Sequence, residues 1–154
     1  MNAGAVAGCP LCEGPGGVLV ARTDRLRVIR AEEDPRFPAF YRVVWEEHVP
    51  EFSQLSPSDR IHCMDVVVLV EQAVRQHLLP HKVNLAALGN AVPHLHWHVI
   101  ARFTWDSHFP APVWASPQRE APADALRQLT EKLPALEHHL ALAVDRLGGS
   151  TSPL

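Results

Sequence analysis

Apolar residues along this chain fall first into short blocks, then into a long helical period, then back into alternation. Val18 to Ala21 and Leu26 to Ala31 predict two short strands joined at Thr23-Asp24-Arg25. Asp34-Pro35-Arg36-Phe37-Pro38 reads as a loop, because each proline biases its predecessor away from helix. Tyr41 to Trp45, β-branched and aromatic, is a third strand. Ser56-Pro57 opens a helix, since serine caps well and proline suits the first helical position. That helix is expected to run to about Leu79, where Pro80 stops it, and to bury Ile61, Met64, Val67, Val68, Val74 and Leu78. Lys82 to Leu88 predicts a fourth strand, Gly89-Asn90 a break, and His96 to Phe103 a fifth strand. From Ala121 the helical period returns, with Pro134 expected to divide it into two segments. This order predicts an α+β fold: a mainly antiparallel five-stranded sheet, one long helix and C-terminal helices.

The segment His94-Leu95-His96-Trp97-His98-Val99-Ile100 combines strict alternation with chemistry. Strand side chains alternate faces, so three histidines share one face and Leu95, Trp97 and Val99 the other. A core has little use for so many titratable groups, because each buried one needs a partner or costs stability. The histidine face is therefore read as a site. Two chemistries suit it. A neutral imidazole can attack phosphorus and form a covalent phospho-histidine, with flanking histidines donating to the non-bridging oxygens. Alternatively, His94, His96 and His98 can share a Zn²⁺ that activates water. The residues alone leave both open.

Bulk composition narrows the partners. With 154 residues, 47% hydrophobic and 20% charged, the chain is expected to form one soluble domain with a real core. A net charge of −3 without a Lys/Arg run offers no footprint for duplex nucleic acid, though a nucleotide-sized anion can still be held locally. Val66 to Val70 is too short to span a bilayer, and the first eight residues lack the basic start and apolar core of a signal peptide. A cytoplasmic protein with no membrane partner is expected. Three cysteines argue against a disulfide framework.

His-Leu-His-Trp-His-Val-Ile, preceded by Asn84, Gly89, Asn90 and the Pro35/Pro38 loop, resembles the His-Φ-His-Φ-His-Φ-Φ signature of the histidine triad (HIT) superfamily, Φ being apolar. The resemblance covers roughly Cys9 to Trp114. It looks closest to bacterial HIT proteins described as diadenosine tetraphosphate hydrolase-like, which carry a similar Asn-Leu-Ala-Ala-Leu-Gly-Asn approach and a late Pro-Val-Trp. It implies a HIT-like fold and a homodimer. The implied activity is a nucleotide hydrolase or transferase acting at an α-phosphorus through a nucleotidyl-histidine. His96 would be the nucleophile, His98 would bind the α-phosphate, and the His94 carbonyl would orient His96. No cofactor is implied for catalysis. Asn84, Gly89 and Asn90 would line the phosphate path, and Glu32 and Asp34 fall where such proteins hold the ribose; the plain alternatives are a satisfied strand end, a turn and solvated loop acids. Two departures stand out: Ala39-Phe40 replaces a Gly-His pair entering the third strand, and Ala101-Arg102 replaces Pro-Arg after the triad. A zinc-dependent hydrolase using the three histidines, or a non-catalytic nucleotide-binding module, are the alternatives.

Cys9-Pro10-Leu11-Cys12 can bite a soft tetrahedral ion, although a lone Cys-x-x-Cys is a weak signal. Some HIT relatives, including galactose-1-phosphate uridylyltransferases, complete such a site with a downstream histidine and the first triad histidine. Here these are His48 and His94, which implies a structural Zn²⁺ on Cys9, Cys12, His48 and His94. Reduced thiols or a redox pair are the alternatives, and no thioredoxin-like helix follows to favour the latter. Cys63 reads as a small core residue, and His62, His77, His81, His108, His138 and His139 as surface. The chain divides into an N-terminal Cys-x-x-Cys segment (1–16), a HIT domain (17–118), a C-terminal helical extension (119–147) and a disordered tail (148–154).

Overall fold

A computed structural model describes residues 4–148. Five strands, β1 (Val18–Arg22), β2 (Leu26–Arg30), β3 (Phe40–Trp45), β4 (Lys82–Ala86) and β5 (His96–Arg102), form one sheet in the order β1-β2-β3-β5-β4. Every neighbouring pair is antiparallel. Each expected strand is present. The fourth ends at Ala86, two residues early, and the fifth at Arg102.

Alternation gives the sheet two unlike faces. Leu26, Val28, Tyr41, Val43, Val83, Val99 and Ala101 lie on the face covered by helices and join one buried apolar cluster. On this side run α2 (Pro57–Leu78) and α3 (Ala123–Gly148). The Ser56 hydroxyl caps α2 by accepting from the Asp59 amide at 3.1 Å, and Leu79 ends it in the left-handed conformation (φ 49°) before Pro80. The buried face of α2 is Cys63, Val66, Val67, Val70, Ala73, Val74 and Leu78. Val67, Val74 and Leu78 were expected there. Ile61 and Val68 are instead 64% and 46% exposed, because the buried stripe is rotated toward Val66 and Val70.

The C-terminal helix corrects another expectation: α3 runs unbroken through Pro134. Losing one helical bond to proline costs roughly 3 kcal/mol. Leu129 and Leu133 before it and Leu136, Leu140 and Val144 after it are all buried on one side. At roughly 1.5–3 kcal/mol for each fully buried aliphatic side chain, this continuous stripe outweighs the break. Glu137 adds a polar anchor, accepting from Arg30 Nε at 2.6 Å and from the Tyr41 hydroxyl at 3.2 Å. Gly148 closes α3, so the expected disordered tail falls, from residue 149 on, outside the described residues.

The other face carries Arg27, Ile29, Arg42, Val44, His96, His98 and Ile100, and segments without long secondary structure cover it. The short helix α1 (Pro10–Glu13) packs Cys9 and Leu11 on Ile29 and Val44. Arg27, 3% exposed, fixes this segment by donating to the carbonyls of Pro15 (3.0 Å) and Leu11 (2.7 Å) and to Glu46 (3.0 Å). Gly16 allows the close approach: its φ is +82°, and a Cβ there would lie 2.6 Å from Leu11. Beyond β5, the chain folds back around a buried ion pair, Arg102 with Asp106.

Candidate active site and metal-ligand cluster

The triad is not one row of equivalent groups. His94 precedes β5, and its ring turns toward the N-terminal segment, while His96 and His98 stand on the strand with ring centroids 4.8 Å apart. His94 Nε2 lies 2.6 Å from the Trp45 carbonyl, which can only accept, so Nε2 carries the proton. The bare Nδ1 faces Cys9 Sγ and Cys12 Sγ, each at 3.5 Å. His96 is held the opposite way round. Its Nδ1 lies 2.6 Å from the His94 carbonyl, so Nδ1 donates and the Nε2 lone pair is left free.

Burial keeps this pair neutral. Desolvation pushes the His96 pKa below the ordinary histidine value, and that of His98 down to about 3. Phe40 and Trp114 meet the His98 ring edge-on at 5.4 and 5.1 Å, and His98 Nδ1 is buried without a hydrogen-bond partner among the described residues. One departure from the HIT pattern acquires a role here: Phe40, in place of a histidine, packs on His98. The arginine of the second pair matches the pattern, and Arg102 ties β5 to the Asp106 loop.

Beside His98 opens a cavity of about 150 Å³ lined by Ala31, Glu33, Asp34, Phe37, Phe40, Arg42, Val113 and Trp114. Its apolar walls suit a flat ring and its mouth is charged. Asp34 lines it, held by Arg36 (2.9 and 2.7 Å), whose bonds keep its carboxyl below the usual carboxylate range. Glu32 is not. It is exposed and pairs with Arg30 at 3.4 Å, and it is Glu33 that lines the cavity. Ala31 and Glu33 line the cavity from the loop that follows β2, while Glu32 turns back to Arg30.

Asn84 lies on the histidine face, across from Ile100, with Ala86 across from His98. Its side-chain oxygen already accepts from Arg102 Nη1 at 2.8 Å, in the middle of β4 rather than at a strand end. Gly89 takes φ +75° in the turn after β4, and Asn90 is exposed there. Of the histidines expected at the surface, His108 is instead buried, bonded to Ser107 at 2.8 Å. His77 and His139 pair between α2 and α3 at 2.9 Å. Trp97 packs on the core side against Phe52, away from the cavity.

Cys9, Cys12, His48 and His94 converge, with their ligand atoms within 4.8 Å of one another. Cys12 Sγ lies 3.4 Å from His48 Nδ1. A tetrahedral ion with Zn–S near ~2.3 Å and Zn–N near ~2.0 Å separates its S and N ligands by about 3.5 Å, so the donor set and spacing fit zinc. His94, His96 and His98 form no such cluster among the described residues, since His94 faces the thiols and His96 Nδ1 its neighbour's carbonyl. This removes the reading in which the triad itself holds a catalytic metal.

The sequence did not single out Arg27, Arg42 or Glu33. Strand alternation could have placed Arg27 and Arg42 on the histidine face; Glu33 lies in the loop after β2, and the partners of all three are set by tertiary contacts.

Comparison with known proteins agrees with this geometry. The HIT domain family matches residues 18–105, more than half of the chain. A histidine triad protein from Bradyrhizobium japonicum superposes with a TM-score of 0.70 at 26% identity, covering 90% of this chain and 99% of that one. One from Sinorhizobium meliloti gives 0.64 at 25% identity, covering 82% and 88%. A hypothetical histidine triad nucleotide-binding protein from Sulfolobus tokodaii shares the fold, with a TM-score of 0.58 at 16% identity over 94% and 98%. No curated protein matches the chain. The family consists generally of nucleotide-binding hydrolases and transferases, and with its β5 histidines, its sheet and its matched domain the chain belongs to the HIT family.

Proposed function

We propose that this protein is a nucleotide hydrolase or transferase that cleaves at the α-phosphorus of nucleotide conjugates through a nucleotidyl-His96 intermediate. The candidate substrates are dinucleoside polyphosphates, nucleoside phosphoramidates and adenylylated small molecules. The single observation that carries this reading is the tautomer of His96. Its Nδ1–H donates to the His94 carbonyl, so the Nε2 lone pair is left free and the ring cannot flip without breaking a 2.6 Å bond. In the first step Nε2 bonds to phosphorus as the P–O or P–N bond to the leaving group breaks, and the leaving group takes up a proton. Water then attacks phosphorus, the N–P bond breaks, and a nucleoside monophosphate leaves with the imidazole restored. His98 binds the non-bridging oxygens, and the cavity beside it takes the nucleoside.

We assign Cys9, Cys12, His48 and His94 to a structural Zn²⁺. When bound it would supply a cross-link between the N-terminal segment and the entry to β5. The free thiols fit a reducing, cytoplasmic setting. No helix of the described residues is long and apolar enough to cross a membrane. The protein is proposed to act as a homodimer through α2 and the free edge of β4, where Ile61, Val68, Leu85 and Leu88 are exposed.

The test is intact mass after rapid quench with an adenosine phosphoramidate and with diadenosine tetraphosphate. Wild type is expected to gain one nucleotidyl group and His96→Asn none. Tight nucleotide binding with no adduct and no turnover would instead favour a binding module on the same scaffold.

A further inference from the structure

The positive charge beside the two neutral histidines comes from a residue outside the triad. Arg42 stands on β3 directly opposite His98 in the strand register. Its guanidinium packs over the Phe40 ring, 5.2 Å from the centroid, and lines the cavity next to His98. One nitrogen, Nη1, donates to Glu33 at 2.5 Å. Nε is buried with no acceptor among the described residues. A buried guanidinium N–H without a partner is costly, and its natural complement is an oxyanion. Charge at the mouth gives the same answer. Asp34 is neutralised by Arg36, whereas the Arg42 side chain is 18% exposed and its counter-ion Glu33 61% exposed, so that pair opens readily to water and ligand. If Arg42 were absent, a nucleotide would approach Glu33 with no cation to offset it.

We propose that Arg42 contacts the substrate, giving its guanidinium to a phosphate oxygen beside His98, and that Glu33 is the internal anion the phosphate displaces. This rests on the reading of the site as one for α-phosphoryl chemistry, and it names a recognition residue that the triad pattern does not contain. Glu33 thereby sets a competition: it holds the guanidinium in position in the free protein and weakens phosphate binding by occupying it.

Calorimetric titration of the full chain with adenosine, AMP and GMP tests this. Arg42→Gln is expected to weaken AMP binding roughly ten- to a hundredfold, the range of a lost charge-assisted hydrogen bond, and to leave adenosine binding unchanged. Arg42→Lys falls between, since it keeps the charge but loses the fork. Glu33→Gln, at an exposed position that folding tolerates, strengthens AMP binding several-fold. Unchanged AMP affinity in Arg42→Gln, equal losses for AMP and adenosine, weaker AMP binding in Glu33→Gln, or no binding of AMP or GMP to wild type at millimolar concentration would each overturn the proposal. The quench experiment separates this from the chemistry. An adduct on wild type with Arg42-independent affinity sinks only the role of Arg42. Arg42-dependent AMP binding without an adduct sinks only the covalent mechanism.

Discussion

What each histidine does here is decided by which ring nitrogen meets a backbone carbonyl. His94 gives Nε2–H to Trp45 and turns Nδ1 to the thiols, whereas His96 gives Nδ1–H to His94 and keeps Nε2 free. The sequence named both residues, and the HIT resemblance anticipated the His94 carbonyl, but the opposite tautomers follow from contacts made in three dimensions. Arginines were less legible. Arg102 was noted only as the arginine that follows Ala101 in place of the family's proline, yet it is 2% exposed and donates to Asp106, Asn84 and Ala111. Asp106 in turn accepts from the amides of Phe103, His108 and Phe109. Such long side chains choose partners across loops, which no local pattern encodes. Asp106→Ala leaves the Arg102 charge buried and three amides unpaired. It should lower stability by about 3–5 kcal/mol in urea unfolding, as removal of one member of a buried pair does. A loss under about 1 kcal/mol would mean that water replaces the carboxylate.

At the level of elements, period and punctuation found every strand and both long helices. They failed where burial is shared between elements. Pro134 looks like a break in a one-dimensional reading, but a leucine stripe packed on β1 and α2 carries α3 through it. Ile61 and Val68 look like core residues in an apolar helix, but the sheet covers only one side of α2, leaving them exposed with Leu85 and Leu88 of the β4 side. An edge strand with unpaired backbone groups beside an apolar stripe is a liability for a lone monomer. Sedimentation velocity should therefore find wild type as a two-chain species and Ile61→Asp as a folded monomer. Monomeric wild type at tens of micromolar would remove the dimer proposal.

Over the whole molecule, the N-terminal segment and the reacting strand are one mechanical unit. Cys9 and Cys12 face His94, the Arg27 guanidinium clamps the turn between them and β1, and the His94 carbonyl holds His96. Metal analysis should find about one zinc per chain in wild type and none in Cys12→Ser. Chelation should lower the thermal midpoint and slow adduct formation together, because the group orienting His96 loosens as the cross-link goes. Zinc-free protein with full stability and full adduct yield would show the cluster to be an idle set of thiols.

The sequence by itself determined which segments are strands, the two-faced sheet, the histidine strand and the family, because these depend on short-range alternation and a local motif; the order of the strands within the sheet came only from the structure. Only the tertiary structure decided which ring nitrogen of His94 faces the cysteines, that Glu33 and not Glu32 reaches the cavity, and that Arg42 stands beside His98. Those outcomes turn on which distant segments are pressed together, and a linear pattern holds no record of that.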